Sequence, residues 1–178
     1  METEETNSQF NEELRRQIDG TLPKGHIYKL GNPGTNLLSA GLPDLPIELS
    51  AERIATKASA NYRRKHPFDL SEIRNLPEAI NSPIAVFNST RQDGAKIILT
   101  ELMHGGYNFV VVVNTHTNPL HRKEQCSINS VKSLYPKDNI TDLMNWLKSG
   151  GKLTSWIDKE KALRFIPTQS TNLIAGGN

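Results

Sequence analysis

Hydrophobic and polar positions are most regularly ordered between Ser82 and Tyr135, and this stretch predicts four β-strands in succession. Ile84–Asn88 is short and apolar. Asp93-Gly94, which follows it, suits a two-residue hairpin turn whose central residues both need positive φ. Ala95–Leu102 is the second strand, and His104-Gly105-Gly106 marks the next turn. Phe109–Val113 (FVVVV) is continuously apolar and β-branched, as a central strand covered on both faces would be. A polar, basic loop leads to Ser127–Tyr135, whose alternation places Ser127, Asn129, Ser133 and Tyr135 on one face with Val131 between them. The short links make this an antiparallel meander, and the expected fold class is α+β, with helices packed on a four-stranded antiparallel β-meander.

Helical spacing appears on both sides of that stretch. Phe10, Leu14, Arg15 and Ile18 suggest a short amphipathic helix ended by Gly20, within an acidic lead over 1–22 that reads as a linker or a loosely docked helix. The single α+β domain is then expected over 23–167, with a polar, disordered tail at 168–178. HIYKL (26–30) reads as a strand and Ile47-Glu48-Leu49 as an edge strand. Ser50 is a suitable N-cap for a helix over Ala51–Arg64. In that helix Ile54, Ala55, Ala58 and Tyr62 form an apolar stripe, and Arg53, Lys57, Asn61 and Arg64 form a basic one. Pro67 stops it with His66 at its end. Ser71 would cap a short helix through Asn75, interrupted by Pro77, with Glu78–Asn81 as a turn. Thr141 would cap a helix over Asp142–Lys148, and Leu153–Ile157 is a last strand followed by the turn DKEKA.

Composition changes this picture little. A hydrophobic content of 36% is low for 178 residues and reflects the polar ends. The net charge of +2 does not by itself announce a polyanion binder, but Arg53–His66 is a local basic segment. Cys126 is the sole cysteine, so no internal disulfide can form, and no His/Cys spacing around it suits zinc. No signal peptide or bilayer-length apolar run is apparent, so a cytoplasmic protein without membrane association is expected.

No GxGxxG, Walker loop, HExxH, GxSxG or CxxC pair occurs, and no cofactor or metal is expected. The candidate chemistry rests on dispersed polar residues. His66 follows Arg63-Arg64-Lys65, a setting that favours a neutral imidazole able to act as a base; a solvated helix end is the competing reading. Lys57 is placed either to hold a phosphate or to snorkel over an apolar surface. The polar row ending in Ser133 and Tyr135 is either a buried hydrogen-bond network or a cleft floor. Thr100 and Glu101 point to opposite faces, so at most one of them reaches that cleft. His104, His116 and His121 read as solvated turn or loop residues.

Taken in order, the segments HIYKLGNPG, LLSAGLPDLPIELS, KASANYRRKHPFDL, NLPEAINSPIAVFNS, ILTEL, NFVVVV, INSVKSLYPKDN and WLKSGGKLTSWIDKEKA resemble the MuF C-terminal domain family over about residues 26 to 166. The resemblance implies a phage-associated nuclease-like domain of the barnase, EndoU, colicin and RelE type. Such domains occur at the ends of phage head proteins and in large proteins of mobile elements and polymorphic toxins. It further implies a metal-independent ribonuclease in which Lys57 and His66 match the helical motif, and Asn129, Ser133 and Tyr135 match the strand motif. Carried over, His66 would be base or acid, Lys57 and Arg64 would stabilise the phosphorane, and Ser133 and Tyr135 would orient phosphate or ribose. Arg53, Arg64 and Asn129 would bind substrate. RNA, tRNA included, is the expected substrate, an immunity or antitoxin protein a further partner, and the chain is expected to be a monomer.

The alternative is a catalytically inactive phage or mobile-element accessory domain that binds protein. Convergence of Lys57, His66, Ser133 and Tyr135 on one cleft would favour the enzyme; full burial of Ser133 and Tyr135 would favour the binding module. A nucleotide-modifying toxin has no NAD-binding signature behind it.

Overall fold

The computed structural model describes residues 2–59, 67–91, 94–115, 128–148 and 153–165. Seven strands form one mixed sheet: β1 (Ile27–Lys29), β2 (Ile47–Ser50), β3 (Ala85–Asn88), β4 (Ala95–His104), β5 (Tyr107–Asn114), β6 (Asn129–Pro136) and β7 (Thr154–Ile157). Their order across the sheet is β1-β2-β6-β5-β4-β3-β7. The helices are α1 (Glu2–Asp19), α2 (Thr35–Ser39), α3 (Ala51–Ala58), α4 (Leu76–Asn81), α5 (Ile140–Lys148) and α6 (159–165), with a 3₁₀ turn at Leu70–Ile73. No helix among the described residues is long and apolar enough to cross a membrane.

The α+β class holds, but the sheet is larger than the four antiparallel strands expected. Strands β3 to β6 are successive antiparallel neighbours in its middle. The short strands expected at 26–30, 47–49 and 153–157 extend it at both sides. β7 pairs antiparallel with β3, β1 pairs antiparallel with β2, and β2 runs parallel to β6 with Ile47 opposite Asn129 and Glu48 opposite Ser130. Each addition covers backbone groups that an edge would leave unpaired.

Alternate residues of the central strands supply two apolar clusters, one on each face. Val86, Ile98, Phe109 and Val111 join Leu14, Tyr28 and Ile54 in the larger cluster. Phe87, Leu99 and Val110 join Leu143 and Phe165 in the smaller. This two-sided cover explains the unbroken apolar run of β5. The two-residue turn with both φ positive falls at Gly105-Gly106 (φ 56° and 87°), with His104 opposite Tyr107. At the β3–β4 link the Ser89 N–H donates to the Ala95 carbonyl at 3.0 Å and Gly94 takes φ 78°, while Asp93 of the expected Asp-Gly turn lies outside the described residues.

The N-terminal segment is neither a linker nor loosely docked. α1 spans 18 residues, and its Phe10 and Leu14 are 1% and 0% exposed. Asn7 and Asn11 both donate side-chain amide bonds to the Asn75 side-chain carbonyl, at 2.8 and 2.7 Å. The Asn75 N–H donates to the Asn11 side-chain Oδ1 at 2.8 Å, which helps hold Asn75 in the left-handed region at φ 63°. Pro77 lies in the first turn of α4, where a missing N–H is tolerated, so it starts a helix instead of interrupting one. The segment expected as the turn DKEKA opens α6, with the Asp158 carboxylate accepting from the Lys161 N–H at 3.1 Å.

Ser50 caps α3 as expected, accepting from the Arg53 N–H at 3.4 Å. The helix, however, stops at Ala58, with Ser59 extended (ψ 134°). The Phe68 N–H returns to the Ala58 carbonyl at 3.4 Å. Arg53 and Lys57 therefore share a helix without the second half of the expected basic stripe. Asn61, Arg64 and His66 lie outside the described residues. The docking of α1 gives a direct test. Leu14→Ala should lower the unfolding free energy by about 2–5 kcal/mol in urea titration, whereas Ile18→Ala, at a half-exposed position, should change it by about 0.5 kcal/mol or less.

Candidate functional site

One extra residue in β6 sets the geometry of the site. Val112 of β5 lies opposite Ser133, and the next residue, Val113, lies opposite Val131. Lys132 thus has no partner and forms a β-bulge, which reverses the alternation of the strand beyond it. Val131 packs in the larger cluster, whereas Tyr135 packs against the smaller one on the other face. The expected row of Asn129, Ser133 and Tyr135 on one face is therefore split.

The bulge is held from outside the sheet. β2 covers only Asn129 and Ser130 of β6. α3 starts directly after β2 and packs along the rest of that edge. From α3 the Arg53 guanidinium donates to the Lys132 carbonyl at 2.9 Å. Asn129 is fully buried at the start of β6, where its side-chain amide donates to the carbonyls of Pro43 (3.0 Å) and Leu45 (2.7 Å). Its backbone N–H donates to Pro46 at 2.7 Å, and its Oδ1 is buried without a hydrogen-bond partner among the described residues. Arg53 and Asn129 hold backbone in place and do not line the cleft described next.

Beyond the bulge, Ser133 and Tyr135 are half-buried and line a cleft of about 430 Å³. Lys57 reaches it from α3, Ser89, Thr90 and Arg91 from the end of β3, and Ile97 and Val112 from the sheet floor. Lys137, Asp138 and Asn139 enter from the β6–α5 turn, and Asp142 and Trp146 from α5. Asn139, not Thr141, caps α5, its side-chain oxygen accepting from the Asp142 N–H at 3.1 Å. Trp146 packs against Phe87 with ring centroids 5.2 Å apart.

Lys137 has the most enclosed cation of the cleft for which contacts are described. Its side chain is 13% exposed, with the ammonium 3.4 Å from the Asp142 carboxylate and 4.9 Å from the centre of the Trp146 ring. Its backbone N–H donates to the Asn108 carbonyl at 2.9 Å, continuing the sheet register past Pro136. Three cations and two carboxylates thus meet a wall of hydroxyls and an indole. Such a lining can hold a phosphate and present an aromatic surface to a base.

The cleft brings together Lys57, Ser133 and Tyr135 of the expected site. Neither Thr100 nor Glu101 reaches it. Thr100 is fully buried and donates to the Phe109 carbonyl at 2.9 Å, and Glu101 pairs with Lys161 at 3.0 Å. His104 bonds to Glu72 at 2.6 Å. Lys96 lies on the other face of the sheet from Ile97; burial holds its ammonium below the usual lysine value, and it donates to the Asn88 side chain at 2.6 Å. Sequence reasoning missed Lys137, Arg91, Asp142 and the part played by Trp146. Lys137 was within reach, since it continues the Ser133–Tyr135 alternation by two residues.

A family model described as the phage MuF-C-terminal domain matches residues 57–164 of the 178. The chain belongs to this family. The MuF-C-terminal span begins at Lys57 and contains every residue that lines the cleft, whereas α1, β1, α2 and β2 precede it. Neither the curated proteins nor the solved structures contain a match to this chain.

Clamp and cleft residues should separate in mutants of this MuF-C-terminal domain. Asn129→Ala removes a fully buried side chain and its bonds to the Pro43 and Leu45 carbonyls, and should lower the unfolding free energy by about 1–3 kcal/mol. Ser133→Ala should change it by about 0.5 kcal/mol or less. Urea titration of both proteins, followed by circular dichroism, checks the contrast.

Proposed function

We propose that this domain is an endoribonuclease of phage or mobile-element origin, with a nuclease-like fold of the barnase, EndoU, colicin and RelE group. It cuts RNA without a metal ion, through attack of the ribose 2′-OH on the adjacent phosphate. The observation that carries the proposal is the convergence of Lys57, Ser133 and Tyr135 on one cleft with Lys137, Arg91 and Trp146. Ser133 and Tyr135 are half-buried, which supports a surface in contact with ligand over a sealed structural network.

In this reaction the 2′ oxygen forms a bond to phosphorus while its proton passes to a base. The bond from phosphorus to the 5′ oxygen breaks as an acid protonates that oxygen. The products end in a 2′,3′-cyclic phosphate and a 5′-hydroxyl. His66, assigned by the family motif, supplies the base or the acid. Lys57 and Lys137 stabilise the negative charge that builds on the phosphorane. Ser133 and Tyr135 orient the phosphate and ribose. Trp146 offers a base a stacking surface. The mixed charge of the cleft favours a defined RNA, tRNA included, over indiscriminate polyanion binding. The proposed setting is the bacterial cytoplasm, with an immunity or antitoxin protein as a partner.

The test is incubation of the purified protein with total cellular RNA and with a tRNA pool in EDTA. Discrete fragments ending in 2′,3′-cyclic phosphate are expected. His66→Ala should slow their formation by about 10²–10⁴-fold, and Lys57→Ala should slow it as well. Intact RNA at micromolar protein would overturn the proposal and favour a protein-binding accessory domain.

A further inference from the structure

We propose that Lys137 holds the phosphate of a bound ribonucleotide and that Asp142 competes with that phosphate for the same ammonium. The proposal rests on the reading of the cleft as an RNA site and adds to it a built-in carboxylate competitor.

The contacts of Lys137 are uneven. An ammonium has three donors and is strongly hydrated in water. Here the side chain is 13% exposed, so the ammonium is approached by water only from the cleft. Its carboxylate partner stands at 3.4 Å. That exceeds the 2.7–2.9 Å typical of a tight charge-assisted bond. The Trp146 ring, 4.9 Å away, adds a cation–π attraction but no lone pair. The cation is thus held in position while its hydrogen-bonding capacity is only loosely used.

Asp142 is suited to give way. Its side chain is 44% exposed, so the carboxylate can turn to water with little loss of hydration. The backbone on both sides is fixed, with the Lys137 N–H bonded to Asn108 and the Asp142 N–H bonded to Asn139. The exchange therefore needs only a side-chain rotation. An incoming phosphate monoester carries more charge than a carboxylate and has three terminal oxygens. Ser133 and Tyr135 hydroxyls line the same cleft and can donate to the oxygens that Lys137 does not reach. Arg91 lies in the cleft too but is exposed, where solvent screens its charge.

Isothermal titration calorimetry with adenosine 3′-monophosphate, inorganic phosphate and adenosine tests this. None of these contains the 3′–5′ linkage that the proposed reaction cuts. The nucleotide should bind, inorganic phosphate should compete with it, and adenosine should bind at least about tenfold more weakly. Lys137→Gln should raise the nucleotide Kd by about tenfold or more. Asp142→Asn should lower it by about threefold to tenfold. A gain in affinity cannot come from unfolding, so the second variant keeps the test decisive where the first is destabilised. An unchanged Kd in Lys137→Gln, weaker binding in Asp142→Asn, or adenosine binding as well as the nucleotide would each overturn the proposal. Cleaved RNA with nucleotide binding indifferent to Lys137 would sink this inference alone. Intact RNA with the binding pattern as expected would sink the nuclease reading alone.

Discussion

The hydrogen bond from the Arg53 guanidinium to the Lys132 carbonyl secures the extra residue on which the cleft depends. Without the bulge, the alternation from Val131 would carry Ser133 and Tyr135 to the face of the larger cluster. There two polar side chains would meet an apolar core and lose their shared surface with Lys57 and Lys137. With the bulge, Leu134 takes the core position and the polar pair moves to the cleft. α3 has two tasks in this arrangement: Ile54 fills the core, and Arg53 and Lys57 work at the edge of β6.

Side-chain bonds to backbone serve the same end elsewhere. Asn129 fastens the Pro43–Pro46 loop to the start of β6, and Asn7 and Asn11 fasten α1 to the turn before α4. Both attachments support elements that lie outside the family-matched span yet pack on its core. The cleft is left with a near balance of cations and carboxylates over an apolar floor of Ile97 and Val112. Under the proposed function, polyanion binding in this cleft would depend on geometry more than on net charge.

The middle strands were legible because their apolar runs and turn glycines are local signals. Phe109–Val113 declared a strand covered on both sides, and Gly105-Gly106 declared its hairpin. The bulge was harder to read, since Lys132 fits an alternating strand as a polar position. The sign was the spacing of Val131 and Leu134: three apart, they cannot share a face in a strand of strict alternation, yet both are buried. α1 was underestimated because only Phe10 and Leu14 are buried along its apolar seam, and its other attachments, among them the Asn7 and Asn11 amide bonds and the Glu13–His26 pair, are polar contacts that hydrophobic periodicity does not register. The early end of α3 follows from Ser59, a residue type that competes for backbone hydrogen bonds and favours helix ends. Lys57 was picked out by its place on a helix stripe and Ser133 and Tyr135 by strand alternation, before the family motif matched the same three residues. The pairing of Lys137 with Asp142 needed the fold, because it arises from a turn that brings α5 back across the end of β6.

Under the proposed function the working face of the sheet is the one that bears Ser133 and Tyr135 and meets Trp146 of α5. The two tryptophans report on it directly, since Trp146 packs with the smaller cluster and Trp156 with the larger one on the opposite face. Titration of the ¹⁵N-labelled protein with a 2′-O-methyl RNA oligonucleotide, which lacks the attacking hydroxyl, can be followed at both indole N–H resonances. The account predicts that the Trp146 indole shifts and saturates while the Trp156 indole stays in place. Movement of Trp156 alone, or of neither, would contradict it.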